Sequence, residues 1–457
     1  MKDFFPEKIL IFEIIELISE KNTFELRDLT KDFYPVDIAN IIGEIDNIQD
    51  KIFLLTLRND IAFIIDVFEE LSAEDQENII ENLKDPRLVR NILNEMASDD
   101  RADFFSAISH TLSVKLKKKL NPLEKADLEE LLKYEEESAG GLMTTDYITL
   151  DSTLTVEHAI REIREHHKDA ETISYEFVVD AENHLMGMVT IRDLIFATPD
   201  ITLEDMMTRN VIFTYSDLDQ EVVASLFRKY DVSVMPVVDL ENHMIGIITI
   251  DDILDVMEEE TTEDIQKIGA SLPLDESYFD TSIPDLIKKR FIWLCVLLLV
   301  GTVTSNILKA YDSVLAAMIA LSYFVPIITG TGGNTGTQSA TMIIRGIALG
   351  EVSFKDIYKV LLKELTIGFL MGVMLAVLGF IQSFITTGIL IVSATLALSL
   401  MFTTVASACV GGVLPIVAKR FGMDPAVMSG PFISTVVDIG GLLIYLQTAS
   451  LIIAYFA

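Results

Sequence analysis

Basic residues are in short supply. The 457-residue chain carries 35 Lys and Arg against 70 Asp and Glu, a formal net charge of −35. A surface this acidic repels phosphate backbones, which excludes nucleic acid as a partner. It attracts cations instead, although the same charge also serves plain solubility. Cysteine is nearly absent: Cys295 and Cys409 both stand in apolar stretches, without metal-ligand spacing. The six histidines, His110, His158, His166, His167, His184 and His243, lack partners at metal spacing and read as surface or turn residues. Met1 to Glu20 has no basic segment followed by an apolar run, so no signal peptide is expected there. No nucleotide-hydrolase motif is found, and no nucleophile–base pair or second acid at membrane depth accompanies Asp438. An enzyme is therefore not expected.

Apolar residues are abundant, at 50% of the chain, and a charge of −35 seldom goes with that in one soluble domain. Cutting the chain resolves the conflict. From Thr281 onward there are ten Lys or Arg and seven Asp or Glu; the other 25 basic and 63 acidic residues precede it. An acidic soluble part is followed by an apolar membrane part.

Residues 1–135 show helical periodicity with almost no strand signal. Short amphipathic segments at Asp37–Ile42, Asp60–Ile65, Asp75–Leu83 and Asp99–Ile108 each open on an acid and continue with apolar residues at i+3/i+4. They predict an all-α superhelical domain of stacked helix pairs. Asn121-Pro122 marks a break before a linking helix, Leu123 to Glu137.

An internal repeat follows. Val178-Val179-Asp180, a polar turn, Gly187 and Thr190–Asp193 align with Val237-Val238-Asp239, a polar turn, Gly246 and Thr249–Asp252. Each copy reads as strand, turn, strand, helix, with a helical stretch upstream (Val156–His167 and Asp219–Tyr230) preceded by Met143-Thr144 or Met207-Thr208. This order resembles a tandem cystathionine-β-synthase-type (CBS) pair, an α/β module over 136–258 with copies at about 140–200 and 201–258. Thr190 and Asp193 offer a hydroxyl and a carboxylate suited to a ribose, beside Arg192, and Tyr175 could stack on a base. A pair that only dimerises is an equal reading.

Beyond a linker helix at 259–285, the segment 286–457 carries five apolar stretches, roughly 290–309, 313–345, 360–383, 389–417 and 427–456. Each is long enough to cross a hydrocarbon core of about 30 Å. The second is interrupted by Pro326 and by Gly330–Gly336, and irregular backbone in a membrane needs protein or a water-filled cavity around it. Lys288-Lys289-Arg290, then Arg345 with Lys355, Lys359 and Lys363, then Lys419-Arg420 mark three connections on one side. The loop near 382–389 has no charge, so the soluble part is expected in the cytosol and the C-terminus outside.

Asp438 falls near the middle of the last stretch, with no Lys or Arg at its depth. A carboxylate there costs a few kcal/mol on insertion scales unless it faces water or a cation. Asn334, Thr335 and Gln338 supply neutral oxygens beside the glycines, a donor set suited to a hydrated hard dication.

Gly330-Thr331-Gly332-Gly333-Asn334-Thr335-Gly336-Thr337-Gln338, Asp424-Pro425-Ala426 and Asp438–Tyr445, together with the domain order, resemble the MgtE family of magnesium channels across essentially the whole chain. The resemblance implies a homodimer in a cell membrane, with a two-fold pore lined by the second and fifth spans and Asp438 as central ion ligand. It implies regulatory Mg²⁺ between the N-terminal and CBS domains and along 256–280, which is similar to a plug helix. The acids assigned to that sensor are Asp99, Asp103, Asp219, Glu221, Asp231, Asp251, Asp252, Asp255, Glu260, Glu263 and Asp264. Each singly is as well explained by solvated surface. The family also suggests ATP at the CBS pair as a ligand. Two residues depart from its pattern, Thr337 and Gly430, where Asn is common. Transport of Co²⁺ or Mn²⁺, or cation-coupled exchange, are alternatives on the same fold.

Overall fold

A computed structural model describes residues 8–166, 170–274, 278–279, 281–428 and 430–456; His167 and residues 1–7 of the N-terminal reading lie outside them. The chain divides into two compact units, Met1–Val256 and Met257–Ala457.

The first unit opens on short helices, among them Pro35–Gly43, Ile61–Glu69, Ala73–Asn82, Pro86–Glu95 and Ser98–Ala107. Pro35–Gly43 packs on Ile61–Glu69, and that helix on Pro86–Glu95, so alternate helices stack into an array. Their apolar faces bury Ile41, Ile42, Val67, Phe68 and Ile92. The starts are set by side chains that satisfy free backbone N–H groups. Ser72 accepts from Asp75 N at 3.3 Å and Asp85 from Arg87 N at 2.9 Å. Asn121 accepts from Leu123 N and Glu124 N, and the helix it caps, Pro122–Leu131, ends earlier than the sequence suggests.

The repeat forms two matching three-stranded sheets. β1 (Thr149–Asp151), β2 (Tyr175–Val179) and β3 (Leu185–Thr190) make one; β4 (Thr214–Tyr215), β5 (Val234–Val238) and β6 (Met244–Thr249) make the other. Each has a parallel then an antiparallel pairing, with the register shift at Val178/Val179 and at Val237/Val238. The Met-Thr elements cross over. Thr144 of the first copy exchanges two backbone bonds with Ile247 of the second, and Thr208 does so with Met188. Met143 then lies on Gly246 and Met207 on Gly187, so close that a Cβ at either glycine would come within 2.6 and 2.7 Å of the sulfur.

Glu176 on β2 is fully buried, and neither carboxylate oxygen has a hydrogen-bond partner among the described residues. Burial raises its pKa to about 8. The folded value exceeds the unfolded one, so the ionised form is penalised and stability falls as pH climbs from about 4.5 towards 8. Glu176→Met, similar in volume and without charge, is expected to stabilise the chain by up to about 3 kcal/mol near pH 7.5. It should also flatten the dependence of Tm on pH; an unchanged slope would show that Glu176 is not its source.

Ile250–Ile268 is a single helix, so the boundary expected at 258/259 falls inside it. Among the described residues of the second unit, four helices are long and apolar enough to cross a membrane: Ile283–Ala310, Phe354–Thr387, Leu390–Arg420 and Gly430–Tyr455. The second of these consists of a short 3₁₀ turn, Phe354–Asp356, and the α-helix Ile357–Thr387. Five were expected. The remaining one, Val325–Ala348, is a 24-residue helix that falls short in apolarity because Thr, Gly, Asn and Gln fill its middle. It is also uninterrupted, contrary to the expectation of a break at Gly330–Gly336. Pro326 sits in the first turn, where no intrahelical N–H bond is lost. The glycines serve close packing instead. Gly336 O lies where a side chain on Gly411 of the Leu390 helix would start.

Candidate functional site

Three helices of the second unit, those starting at Val325, Leu390 and Gly430, pack together. Asp438 is on the third, and its Oδ1 lies against Gly333 of the first, 3.3 Å from where a Cβ would stand. That oxygen is buried and has no hydrogen-bond partner among the described residues. Ser434, one turn earlier, also lies on Gly333. The Leu390 helix adds Ser399, Thr403 and Ser407 at i, i+4, i+8, all buried, whose hydroxyl oxygens likewise lack a partner. Thr403 packs on Gly332 and Gly441, and Ser407 on Gly332. The sequence reading missed this hydroxyl stripe, whose signal was four-residue spacing inside an apolar run.

Asn334 and Gln338 are one turn apart and exposed. Thr335 is turned differently. It is 5% exposed and its hydroxyl donates to Thr331 O at 2.9 Å, so it serves its own helix. Thr337 and Gly430, the two departures from the family pattern, touch each other: Thr337 Oγ1 donates to Gly430 O at 3.2 Å. Glu364 is a second acid in an apolar helix, where none was expected. It is 8% exposed and accepts from Ser339 Oγ at 2.7 Å. Among apolar neighbours and next to Lys363 it reads as a helix-end charge, which is why it was passed over.

In the first unit the Ser98–Ala107 helix meets the CBS pair. Ser98 Oγ bonds Thr144 Oγ1 at 2.9 Å, and Ser98 N donates to Asp146 Oδ2 at 2.9 Å. Beside that contact, acids converge. Burial holds Asp99 well above the usual carboxylate range, and the negative charges of Asp100, Asp252 and Glu171 push it further. Its Oδ1 is buried without a partner among the described residues. Burial, then Asp252 and Asp103, raise Asp100 to about 7. Burial and Asp100 raise Glu69 to about 8. Glu171 is raised by partial burial and by Asp252 and Asp251, and Glu70 by partial burial and by Asp255. Asp99, Asp103, Asp251, Asp252 and Asp255 are thus brought together as the sequence reading grouped them. Asp100, noted in the same run as Asp99 and Asp103 but not assigned to the sensor, and Glu69, Glu70 and Glu171 join them; the last three come from other segments and had no local signal.

The other assigned acids are elsewhere. Asp219 caps the helix Gln220–Tyr230, accepting from Glu221 N at 2.9 Å, and Asp231 closes its far end in the left-handed region (φ 53°). Eleven residues of helix separate them by about 16 Å, so one ion cannot bridge the two. Glu260, Glu263 and Asp264 lie on the Ile250–Ile268 helix within the second unit. Glu263 is paired with Lys267, which also binds Asp424 Oδ2 at 2.7 Å. Burial works against the Lys267 ammonium, but these two carboxylates outweigh it and raise its pKa.

On the CBS pair, Tyr175 and Thr190 stand opposite each other across β2 and β3, with Arg192 and Asp193 exposed just beyond. Thr190 Oγ1 donates to Asp193 Oδ2 at 2.6 Å and accepts from Asp193 N, so the hydroxyl–carboxylate pair is a helix cap. Thr249 and Asp252 repeat the side-chain bond. The histidines also need correction: His184 and His243 have partners, Asp180 and Asp239.

The family profile described as "Divalent cation transporter" (MgtE) matches residues 325–448, and "MgtE intracellular N domain" matches 33–137. CBS domains match 139–200 and 203–259. The magnesium transporter MgtE of Thermus thermophilus is 39% identical over 450 residues, 98% of this chain and 99% of that protein. The chain belongs to the MgtE family. The Bacillus subtilis member is 32% identical over 96% of this chain and 97% of its own length. Among solved structures, the cytosolic domain of the Mg²⁺ channel MgtE in complex with ATP aligns along its entire length with 54% of this chain, at 37% identity and a TM-score of 0.51. The family's transporter profile thus covers Asp438, Asn334 and the hydroxyl stripe alike.

Proposed function

We propose that the chain is a homodimeric Mg²⁺ channel that admits Mg²⁺ to the cytosol and closes when cytosolic Mg²⁺ is high. The observation that carries this reading is the Asp438 carboxylate, with one oxygen buried and unpartnered beside the backbone of Gly333. A charge so placed is stabilised by a visiting cation with its own water. Asn334 and Gln338, exposed on one face of the single chain, line the path at the partner helix, and Val325–Ala348 is the fifth span, sheltered from lipid by that arrangement. The soluble unit is cytosolic and the C-terminus is outside.

The acids around Asp99, Asp100 and Asp252 form the sensor. Their mutual repulsion opposes docking of the N-terminal helices on the CBS pair, and dications between them reverse it, which favours the closed state as Mg²⁺ rises. ATP binds at Tyr175, Thr190, Arg192 and Asp193 as a ligand that tunes this response; the solved relative that aligns here is an ATP complex.

Purified protein in liposomes should pass Mg²⁺ down a Mg²⁺ gradient alone, read by an internal Mg²⁺ dye. Flux that appears only with an opposing cation gradient would mean exchange. Flux of Co²⁺ or Mn²⁺ without Mg²⁺ would replace the substrate.

A further inference from the structure

We propose that the paired hairpin turns Asp180–His184 and Asp239–His243 bind divalent transition cations of the Zn²⁺ and Co²⁺ class, one per turn, through the Asp, Glu and His side chains of each. The backbone prepares both sites in the same way. Asp180 Oδ1 accepts from the N–H groups of Glu182 and His184, each at 2.9 Å, and Asn183 takes the left-handed conformation (φ 66°) that closes the turn. Asp239 Oδ1 does the same for Glu241 and His243, again at 2.9 Å, with Asn242 at φ 67°.

This leaves the second oxygen of each Asp for the imidazole. Asp180 Oδ2 is 3.1 Å from His184 Nδ1, and Asp239 Oδ2 is 2.9 Å from His243 Nδ1. Glu182 Oε2 stands 3.8 Å from the first nitrogen and Glu241 Oε2 4.0 Å from the second. In the first turn all three ligand atoms lie within 4.8 Å of one another. A tetrahedral zinc site with bonds near 2.0–2.1 Å has ligand–ligand edges of about 3.3 Å, which these spacings straddle. The cation takes the place of the proton between nitrogen and Oδ2, and the turn keeps its backbone bonds because those use Oδ1.

The two turns are adjacent. Leu185 N donates to Asn242 O and Met244 N to Asn183 O, and the imidazoles stack with centroids 4.6 Å apart at 20°. Four carboxylates match the charge of two dications. The histidine side chains are about one-third exposed and the glutamates about four-fifths, and His184 and Glu241 line one open cavity of about 400 Å³, so ions can exchange with solvent. Imidazole suits Zn²⁺ and its neighbours, whereas Mg²⁺ prefers oxygen, so these turns are chemically distinct from the acidic cluster.

The test is Co²⁺ binding by the purified full-length chain in excess Mg²⁺, followed by equilibrium dialysis and by visible ligand-field absorption. The unaltered protein should hold about two more Co²⁺ per chain than His184→Gln/His243→Gln. Glu182→Gln/Glu241→Gln, changed at exposed side chains, should fold normally and bind roughly tenfold more weakly or worse. Equal Co²⁺ content and spectra in all three proteins would overturn the proposal and leave hydrogen-bonded turns only. Loss of the bound Co²⁺ to excess Mg²⁺ would overturn it too.

Discussion

Asp438→Asn is expected to abolish Mg²⁺ flux in liposomes, by a hundredfold or more on the order of 3 kcal/mol, while the protein purifies as the same oligomer. The amide is nearly the same size, so packing against Gly333 is retained and only the charge is lost. Charge is what offsets the partial dehydration of an entering dication, and no other carboxylate lies on the Gly430–Phe456 helix. Glu364 supplies the control. Its Oε2 accepts from Ser339 Oγ, which ties the Ile357 helix to the Val325 helix. Glu364→Gln should therefore lower stability more than it changes ion preference. Near-normal flux through the Asp438→Asn protein would remove the carboxylate from the path.

Mg²⁺ is expected to protect the cytosolic unit from protease, and Asp100→Asn with Asp252→Asn is expected to remove that response. Both groups belong to a set whose strongest mutual influences are negative. With two charges gone the repulsion is relieved and the ligands are lost together. Protection should then be present without Mg²⁺ and change little as it is added. A midpoint shift of tenfold corresponds to about 1.4 kcal/mol of lost ion binding. In liposomes the same variant should stay closed at low as at high cytosolic Mg²⁺, its flux no longer graded by that ion. A titration that overlays the unaltered protein would sink the sensor assignment.

How much of this was legible in the sequence depended on whether the signal was local. The repeat was legible in detail, because strand, turn and cap residues recur at matched spacing and both sheets form with the same register shift. The Val325–Ala348 helix was misread at Gly330–Gly336, since glycine weakens a helix when judged alone. Contacts with Gly411, Ser434 and Val437 supply what propensity lacks. Asp438 stood out because it is charged in an apolar run; Ser399, Thr403 and Ser407 did not, because hydroxyls barely lower hydropathy. The acidic cluster was half visible. Asp99 and Asp252 sit in obvious runs, but Glu69 and Glu171 join them only through folding. Asp219 at the start of one helix and Asp231 just after its end were both legible, because cap and helix periodicity are local signals.

Because Thr144 completes the sheet of the later CBS copy and Thr208 that of the earlier one, neither copy is finished by its own residues. The duplication behaves as a clasp rather than as two beads on a string. Cleaving it near residue 200 would leave two halves that each lack an edge, so a ligand seated in one half strains or steadies both.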